Sequence, residues 1–100
     1  MIRNATKGVL VVLCILAFFP GVSAAADPVK IGVIYPLTGS SAAAGSYQIA
    51  GVKIAADKFN AEGGILKRTV QLFVEDGAND PSQSVSAAEK LVTRDKVDAM

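Results

Sequence analysis

The sequence contains no histidine, and its only cysteine is Cys14. Histidine and cysteine supply many of the nucleophiles, general bases and transition-metal ligands of proteins. Without them, the chain after residue 14 has no material for metal clusters or for histidine- or cysteine-based catalysis. We therefore expect no metal, no cofactor and no enzymatic activity in this segment.

The sequence also lacks an excess of charge of either sign. It carries 10 lysines and arginines against 9 aspartates and glutamates. Two of the basic residues, Arg3 and Lys7, lie in the leader described next, which leaves 8 basic residues against 9 acidic ones and a net charge of −1. No basic patch remains, and this pattern argues against nucleic acid as a partner.

Residues 1–26 have the pattern of a signal peptide. Val9 to Phe19 is an unbroken apolar run of 11 residues, whereas a membrane-spanning helix needs roughly 20. Small residues predict cleavage after Ala24 or Ala26, and the short run argues against the alternative of an uncleaved membrane anchor. Cys14 then leaves with the leader, so we expect the exported segment to be held together by core packing and not by disulfides.

Residues 27–100 predict a β-α-β-α-β order. With short loops and right-handed crossovers, this order gives an α/β fold with a three-layer parallel sheet. The chain stops within the last predicted strand, so we expect it to be the N-terminal piece of a longer protein. The predicted elements are strands at 29–35, 69–75 and 97–100 and helices at about 46–60 and 80–94.

Side-chain spacing and terminal residues define the two predicted helices. Gly63 and Gly64 stop the first helix. Asp80 suits the N-cap of the second helix, Pro81 its first position, and Gln83 the reciprocal partner in a capping box. The residues predicted to face the core are Ile49, Val52, Ala56 and Phe59 in the first helix and Val85, Ala88, Leu91 and Val92 in the second.

The turn between the first strand and the first helix is the candidate functional segment. Ligands of open α/β sheets bind beyond the carboxyl ends of the strands, where a helix N-terminus also favours anions. Gly39 and Gly45 enclose a serine- and alanine-rich stretch, but Ser46 stands where a phosphate-binding loop needs lysine, so the pattern does not match nucleotide binding. Ser40 and Ser41 are turn and cap residues in one interpretation and ligand hydrogen-bonding groups in the other.

Two acidic residues end the second strand. Glu75 and Asp76 are candidates for acid–base chemistry, but sequence neighbours alone do not supply the geometry that such chemistry needs. We expect Glu75 to be a solvated strand end and Asp76 to form the turn with Gly77. Tyr35 is assigned to the core, while Tyr47 is left open between core and cleft.

The order of these segments resembles the periplasmic leucine/isoleucine/valine-binding protein family of ABC importers. The resemblance covers residues 27–100 and rests on VKIGVIYPLTG, on the stretch from Gly45 through NAEGGI, on EDGANDPSQSVSAAEKLV and on DKVDAM. It implies two α/β lobes joined by a hinge that close over a small solute, with this chain as the start of the first lobe. It also implies a periplasmic location.

The resemblance places the loop matching Thr38 to Gly45 against the ligand. The residues it implies for ligand binding are Thr38, Gly39, Ser40, Ser41, Ala44 and Gly45. Members often carry an aromatic residue where Ala44 stands, and alanine leaves room there. Some members have a cysteine at the position of Asn79, so that disulfide is absent here.

The function that the resemblance implies is capture of branched-chain amino acids or related small solutes. The protein would deliver them to the membrane permease subunits of an ABC importer, without covalent chemistry. The alternative is an extracellular ligand-sensing domain of the same fold in a signalling receptor. A third class, an enzyme, would need a histidine- or cysteine-bearing cleft outside this segment.

Overall fold

A computed structural model describes residues 26–100 of the chain. The signal peptide predicted at 1–26, with Cys14, lies outside the described residues except for its last position. Four elements follow one another, and a π-helical turn at Leu91–Asp95 continues the second helix. The elements are β1 (Val29–Tyr35), α1 (Ala42–Ala61), β2 (Val70–Asp76) and α2 (Pro81–Lys90).

The two strands form a parallel pair, as the sequence predicts. Val29 pairs with Val70, and the register runs without a bulge to Tyr35 and Asp76. On the other edge of β1, the predicted third strand is present as one parallel bridge between Ile31 and Ala99. The result is a small α/β unit of two parallel strands and two helices, with β1 between β2 and the end of the chain.

The two helices contact opposite faces of the sheet. Ile31 shares an apolar pocket with Ala56 of α1. Gly32 points to the other face, where a Cβ would lie 2.9 Å from the Leu91 side chain. Leu91 is fully buried, so the absence of a side chain at position 32 lets the end of α2 approach β1 closely.

Asn60 joins the end of α1 to the start of β2. Its side chain donates a hydrogen bond to the Val70 carbonyl at 3.0 Å and accepts one from the Val70 amide at 2.7 Å. Gly63 and Gly64 have φ of +103° and +83°, and the Gly64 amide donates to the Phe59 carbonyl at 2.7 Å. These contacts confirm the predicted helix stop, because glycine takes left-handed φ without strain.

The first helix begins four residues earlier than the sequence predicts, at Ala42 and not at about Ser46. The difference comes from Gly45, because the sequence predicts that this glycine belongs to the turn. In the structure Gly45 is buried inside the first turns of α1, and a Cβ there would lie 1.7 Å from the Pro36 carbonyl oxygen. Gly45 is therefore explained by close packing of the helix on the preceding loop.

The predicted cap of the second helix is confirmed in part. Pro81 is the first helical residue, and Asp80 Oδ1 accepts a hydrogen bond from the Gln83 amide at 2.7 Å. The reciprocal half of the capping box does not form, because the Asp80 amide donates to the Gly77 carbonyl at 2.8 Å. The Gln83 side chain instead donates to the Asp76 carbonyl at 3.0 Å. Gln83 thus joins the helix to the end of β2.

The predicted core face of the second helix is wrong at two positions. Val85 and Val92 are 59% and 54% exposed, whereas Ala87 and Leu91 are buried. In the first helix Ile49 and Ala56 are buried as predicted. Phe59 is half exposed and lines the apolar pocket.

Candidate functional site

Two loops meet at the carboxyl edge of the sheet. One joins β1 to α1 and spans residues 36–41, and the other joins β2 to α2 and spans residues 77–80. They are close together, since a Cβ on Gly39 would lie 3.9 Å from the Ala78 carbonyl oxygen. The parallel pairing causes this, because parallel strands end at the same edge of a sheet.

The structure divides the predicted site residues between a loop and a helix. Thr38, Gly39 and Ser40 are exposed in the loop, and Ser41 is the N-cap of α1. The other two predicted residues, Ala44 and Gly45, lie in the first turns of α1 and not in the loop. Ala44 is exposed, while Gly45 faces the Pro36 carbonyl and is buried.

The N-terminus of α1 lacks a side-chain cap. Ser41 is at the N-cap position but makes no capping hydrogen bond, and the first turn contains no acidic residue. The Ser46 hydroxyl donates back to the Ala42 carbonyl at 2.9 Å. Backbone N–H groups at such an end carry partial positive charge and favour anionic partners.

Asp76 organises both loops. Its Oδ1 accepts hydrogen bonds from the Leu37 amide and the Ala78 amide, each at 2.8 Å, and its Oδ2 accepts one from the Thr38 hydroxyl at 2.6 Å. The Thr38 hydroxyl, followed by the Leu37 amide, lowers the pKa of the Asp76 carboxyl below its ordinary value. Each donor favours the ionised carboxylate, which accepts them all.

The sequence predicts that Asp76 forms the turn with Gly77, but it does not predict the contact of Asp76 with the other loop. The bond to Ala78 is the part of that prediction which the structure confirms. Leu37 and Thr38, which donate hydrogen bonds to Asp76, precede it in the chain by 39 and 38 residues. The available signal was a carboxylate at the end of one parallel strand and a hydroxyl just after its neighbour, two positions that share an edge.

The prediction that Glu75 is a solvated strand end is wrong. Its carboxylate forms an ion pair with Lys90 at the end of α2. The same ammonium lies 3.8 Å from Oδ2 of Asp95 in the π-helical turn. Glu75 therefore connects β2 to α2 through an ion pair, on the face of the sheet opposite α1.

The two tyrosines that flank the candidate loop differ in exposure. Tyr47, left open between core and cleft, is 81% exposed on α1. Tyr35, which the sequence assigns to the core, is only half-buried at the end of β1 and is not one of the buried core residues of the described chain. Across residues 26–100, acidic side chains nowhere gather in threes to offer a metal site. Neither helix of this part is long and apolar enough to cross a membrane.

An apolar pocket of about 130 Å³ lies between α1 and the sheet, away from the two loops. None of its lining residues belongs to the predicted site. They are Ile31, Val52, Ala55, Ala56, Phe59, Ile65, Val70 and Leu72. The pocket carries no hydrogen-bonding side chains, so it does not provide the polar contacts expected for a small polar solute.

Comparison with known proteins gives a consistent result. The family model described as "Periplasmic binding protein" matches residues 28–100. The Leu/Ile/Val-binding protein BraC3 of Rhizobium johnstonii is 48% identical over 77 residues, which are 77% of this chain and 20% of that protein. A leucine-, isoleucine-, valine-, threonine- and alanine-binding protein of Pseudomonas aeruginosa is 38% identical over 77 residues, 77% of this chain and 21% of that protein.

Among solved structures, the branched-chain amino acid transporter substrate-binding protein LivJ of Streptococcus pneumoniae, in complex with isoleucine, superposes with a TM-score of 0.68. It is 32% identical, and the match covers 71% of this chain and 20% of that one. The chain therefore spans about a fifth of the length of the proteins that it resembles.

Proposed function

We propose, since the chain belongs to the periplasmic binding protein family, that it forms the start of the first lobe of a solute-binding protein. In this proposal residues 1–26 are the signal peptide, and residues 27–100 begin a larger parallel sheet whose third strand starts near Ala99. The amides of Asp98 and Gly32 support this, because they form 2.7 and 2.8 Å hydrogen bonds with the carbonyls of Lys30 and Ala99.

The ligands that we propose are branched-chain aliphatic amino acids. The relatives support this choice, since the proteins of R. johnstonii and P. aeruginosa are both leucine-, isoleucine- and valine-binding proteins and the solved structure holds isoleucine. The relative from P. aeruginosa also binds threonine and alanine, so small amino acids are included. The protein would act in the periplasm and deliver its ligand to the permease subunits of an ABC importer.

The observation that carries the proposal is the pair of polar loops at the carboxyl edge of the sheet. We assign one side of the ligand site to Thr38, Gly39, Ser40, Ser41, Ala44 and Gly45. The uncapped start of α1 offers backbone donors suited to a carboxylate, and the loop hydroxyls offer hydrogen bonds to polar groups. Exposed Ala44 takes the position of a wall against the ligand side chain, and its small size leaves room for a branched aliphatic group.

The mechanism that follows is capture without covalent chemistry. A second lobe would close over a ligand held on this edge, and the affinity would come from burying the ligand between two surfaces. The described part of the first lobe is suited to this, because Asp76 holds both loops in place before a ligand arrives. Loops that are already ordered lose less conformational freedom on binding.

The test is isothermal titration of the full-length protein, purified without ligand, against leucine, isoleucine, valine, alanine, threonine, aspartate and lysine. We expect saturable binding of the three branched-chain amino acids, weaker binding of alanine and threonine, and none of the charged pair. Binding of the charged amino acids in preference to the branched ones would contradict the proposed function.

A further inference from the structure

The backbone groups of β2 alternate between the two edges of the strand. The Val29 amide donates to the Thr69 carbonyl at 2.8 Å, and the Gly77 amide donates to the Tyr35 carbonyl at 3.0 Å. The odd-numbered residues from 69 to 77 therefore direct their backbone groups towards β1, and the even-numbered residues direct theirs to the outer edge. The outward residues are Val70, Leu72, Val74 and Asp76.

Side-chain amides occupy both ends of this outer edge. At the first position, Asn60 donates to the Val70 carbonyl at 3.0 Å and accepts from the Val70 amide at 2.7 Å. At the last position, the Gln83 side chain donates to the Asp76 carbonyl at 3.0 Å. A side-chain amide has a donor and an acceptor, as a peptide group does, so Asn60 pairs with Val70 as a neighbouring strand would.

The middle of the outer edge differs from its ends. Within residues 26–100, the outward backbone groups of Leu72 and Val74 make no hydrogen bond. The chain adds its next bridge on the opposite side of the sheet, where Ala99 pairs with Ile31 of β1. In the described residues β2 is therefore an edge strand, and it contains no proline, lysine or bulge of the kinds that commonly protect such strands.

We propose that Asn60 and Gln83 are edge caps that prevent β2 from pairing with β2 of a second copy of the chain. Symmetric antiparallel pairing centred on Phe73 would use all four outward residues, each in a hydrogen-bonded pair. In the two end pairs, Val70 of one copy would face Asp76 of the other. These pairs need backbone groups that the caps already occupy, so only the two central pairs remain.

The side chains of β2 would not oppose this pairing. Leu72 of one copy would lie beside Val74 of the other, and Phe73 would face its own copy. Such apolar cross-strand pairs stabilise a sheet. The charged Glu75 would face uncharged Gln71, so no like charges would meet. Among the described residues, the two amide caps are thus the feature of this edge that acts against the pairing.

The test is the association state of the full-length double variant Asn60→Ala/Gln83→Ala, measured without ligand by sedimentation velocity over a series of protein concentrations. We expect the double variant to form dimers at concentrations at least about tenfold lower than the wild type needs, because the outward groups at both strand ends become available. The single variant Gln83→Ala should lie between the two. It keeps the N-cap of α2, since that bond uses the backbone amide of Gln83.

Hydrogen exchange of individual amides shows where two copies meet. In the wild type, the Leu72 and Val74 amides should exchange faster than the Phe73 amide, which is directed towards β1. In the dimer of the double variant, the Leu72 and Val74 amides should become protected. A matched control is Gln48→Ala, which removes an exposed amide of α1 whose side chain makes no hydrogen bond within residues 26–100, and it should behave as the wild type.

Several results would overturn the proposal. A folded double variant that stays as monomeric as the wild type would show that the caps block nothing. Association that leaves the Leu72 and Val74 amides exchanging fast would place the contact elsewhere. Slow exchange of these two amides in the wild type would show that another segment or a second copy already covers the edge.

The remaining outcomes are equally decisive. Association of Gln48→Ala to the same extent as the double variant would show that loss of any amide has this effect. Because Asn60 also joins α1 to β2, the double variant could fail to fold, and Gln83→Ala then decides by the same two measurements. None of them uses a ligand, so a failure of the proposed amino-acid binding would leave the role of the caps unchanged.

Discussion

Two glycines in the same helix should respond in opposite directions to the same substitution. A Cβ at Gly45 would lie 1.7 Å from the Pro36 carbonyl oxygen and 2.6 Å from the carbonyl carbon, whereas a Cβ at Gly51 would meet nothing within 4 Å. Contacts of a real Cβ below 3.0 Å are essentially never seen. Gly45→Ala therefore has to move the helix start from the loop by about 1.3 Å, the difference between these two distances.

The magnitude follows from two opposing effects. Alanine stabilises a helix interior by about 1 kcal/mol relative to glycine. Forcing a tightly packed backbone apart costs about 1–3 kcal/mol, and the obstacle here is a backbone carbonyl that cannot rotate away, so we take the upper end. We expect Gly45→Ala to lower the free energy of unfolding by about 2 kcal/mol. Gly51→Ala should raise it by about 0.5–1 kcal/mol.

Denaturant unfolding of the full-length variants, followed by circular dichroism, measures both changes. The pair is internally controlled, since both substitutions add one methyl group to α1 and differ only in what it meets. Gly45→Ala should also weaken ligand binding, because the displaced helix start carries the proposed site. A Gly45→Ala variant as stable as the wild type would refute the close approach of α1 to Pro36, and a destabilised Gly51→Ala would refute the open space at position 51.

Two more substitutions test the site and a turn. Ala44→Trp in the full-length protein should change the discrimination among branched, aromatic and small amino acids by roughly 10–200-fold, whereas Lys53→Ala, at an exposed position, should leave it unchanged. Titration calorimetry measures these affinities, and an unchanged order of affinities in a folded Ala44→Trp protein would remove Ala44 from the site. Leu66 and Lys67 have φ of +51° and +62° in a tight turn between Ile65 and Arg68. Replacing the two residues with Asn-Gly should therefore stabilise the protein by about 1–2 kcal/mol in denaturant unfolding. The control replaces the same two residues with Ala-Ala, and equal stability of the two variants would contradict this.

Local features of the sequence predicted the fold well. The β-branched run from Val29 to Tyr35 and the Asp80–Pro81 helix start are determined by neighbouring residues, and the structure confirms both. The start of α1 was misplaced because a glycine is normally a turn signal. The reason for Gly45 is the carbonyl of Pro36, nine residues earlier, which no local pattern shows.

Features that depend on distant contacts could not be predicted in this way. α2 contains several small residues, so its periodicity does not fix which face is buried. The fit of Leu91 against Gly32 decides this and leaves Val85 exposed. The link from Asp76 to Thr38 likewise exists only because parallel pairing brings two strand ends together.

The register of the sheet also determines the order in which the chain can fold. Val29 pairs with Val70, 41 positions later, and each following pair has the same separation. As the chain emerges N-terminus first, the apolar β1 therefore has no partner until β2 has followed it, and an unpaired apolar strand can associate with other chains. If α1 forms before β2 emerges, it shortens the distance between the two strands, because a helix rises only about 1.5 Å per residue. The Asn60–Val70 contact then places the first residue of β2 at the end of that helix, ready to pair with β1.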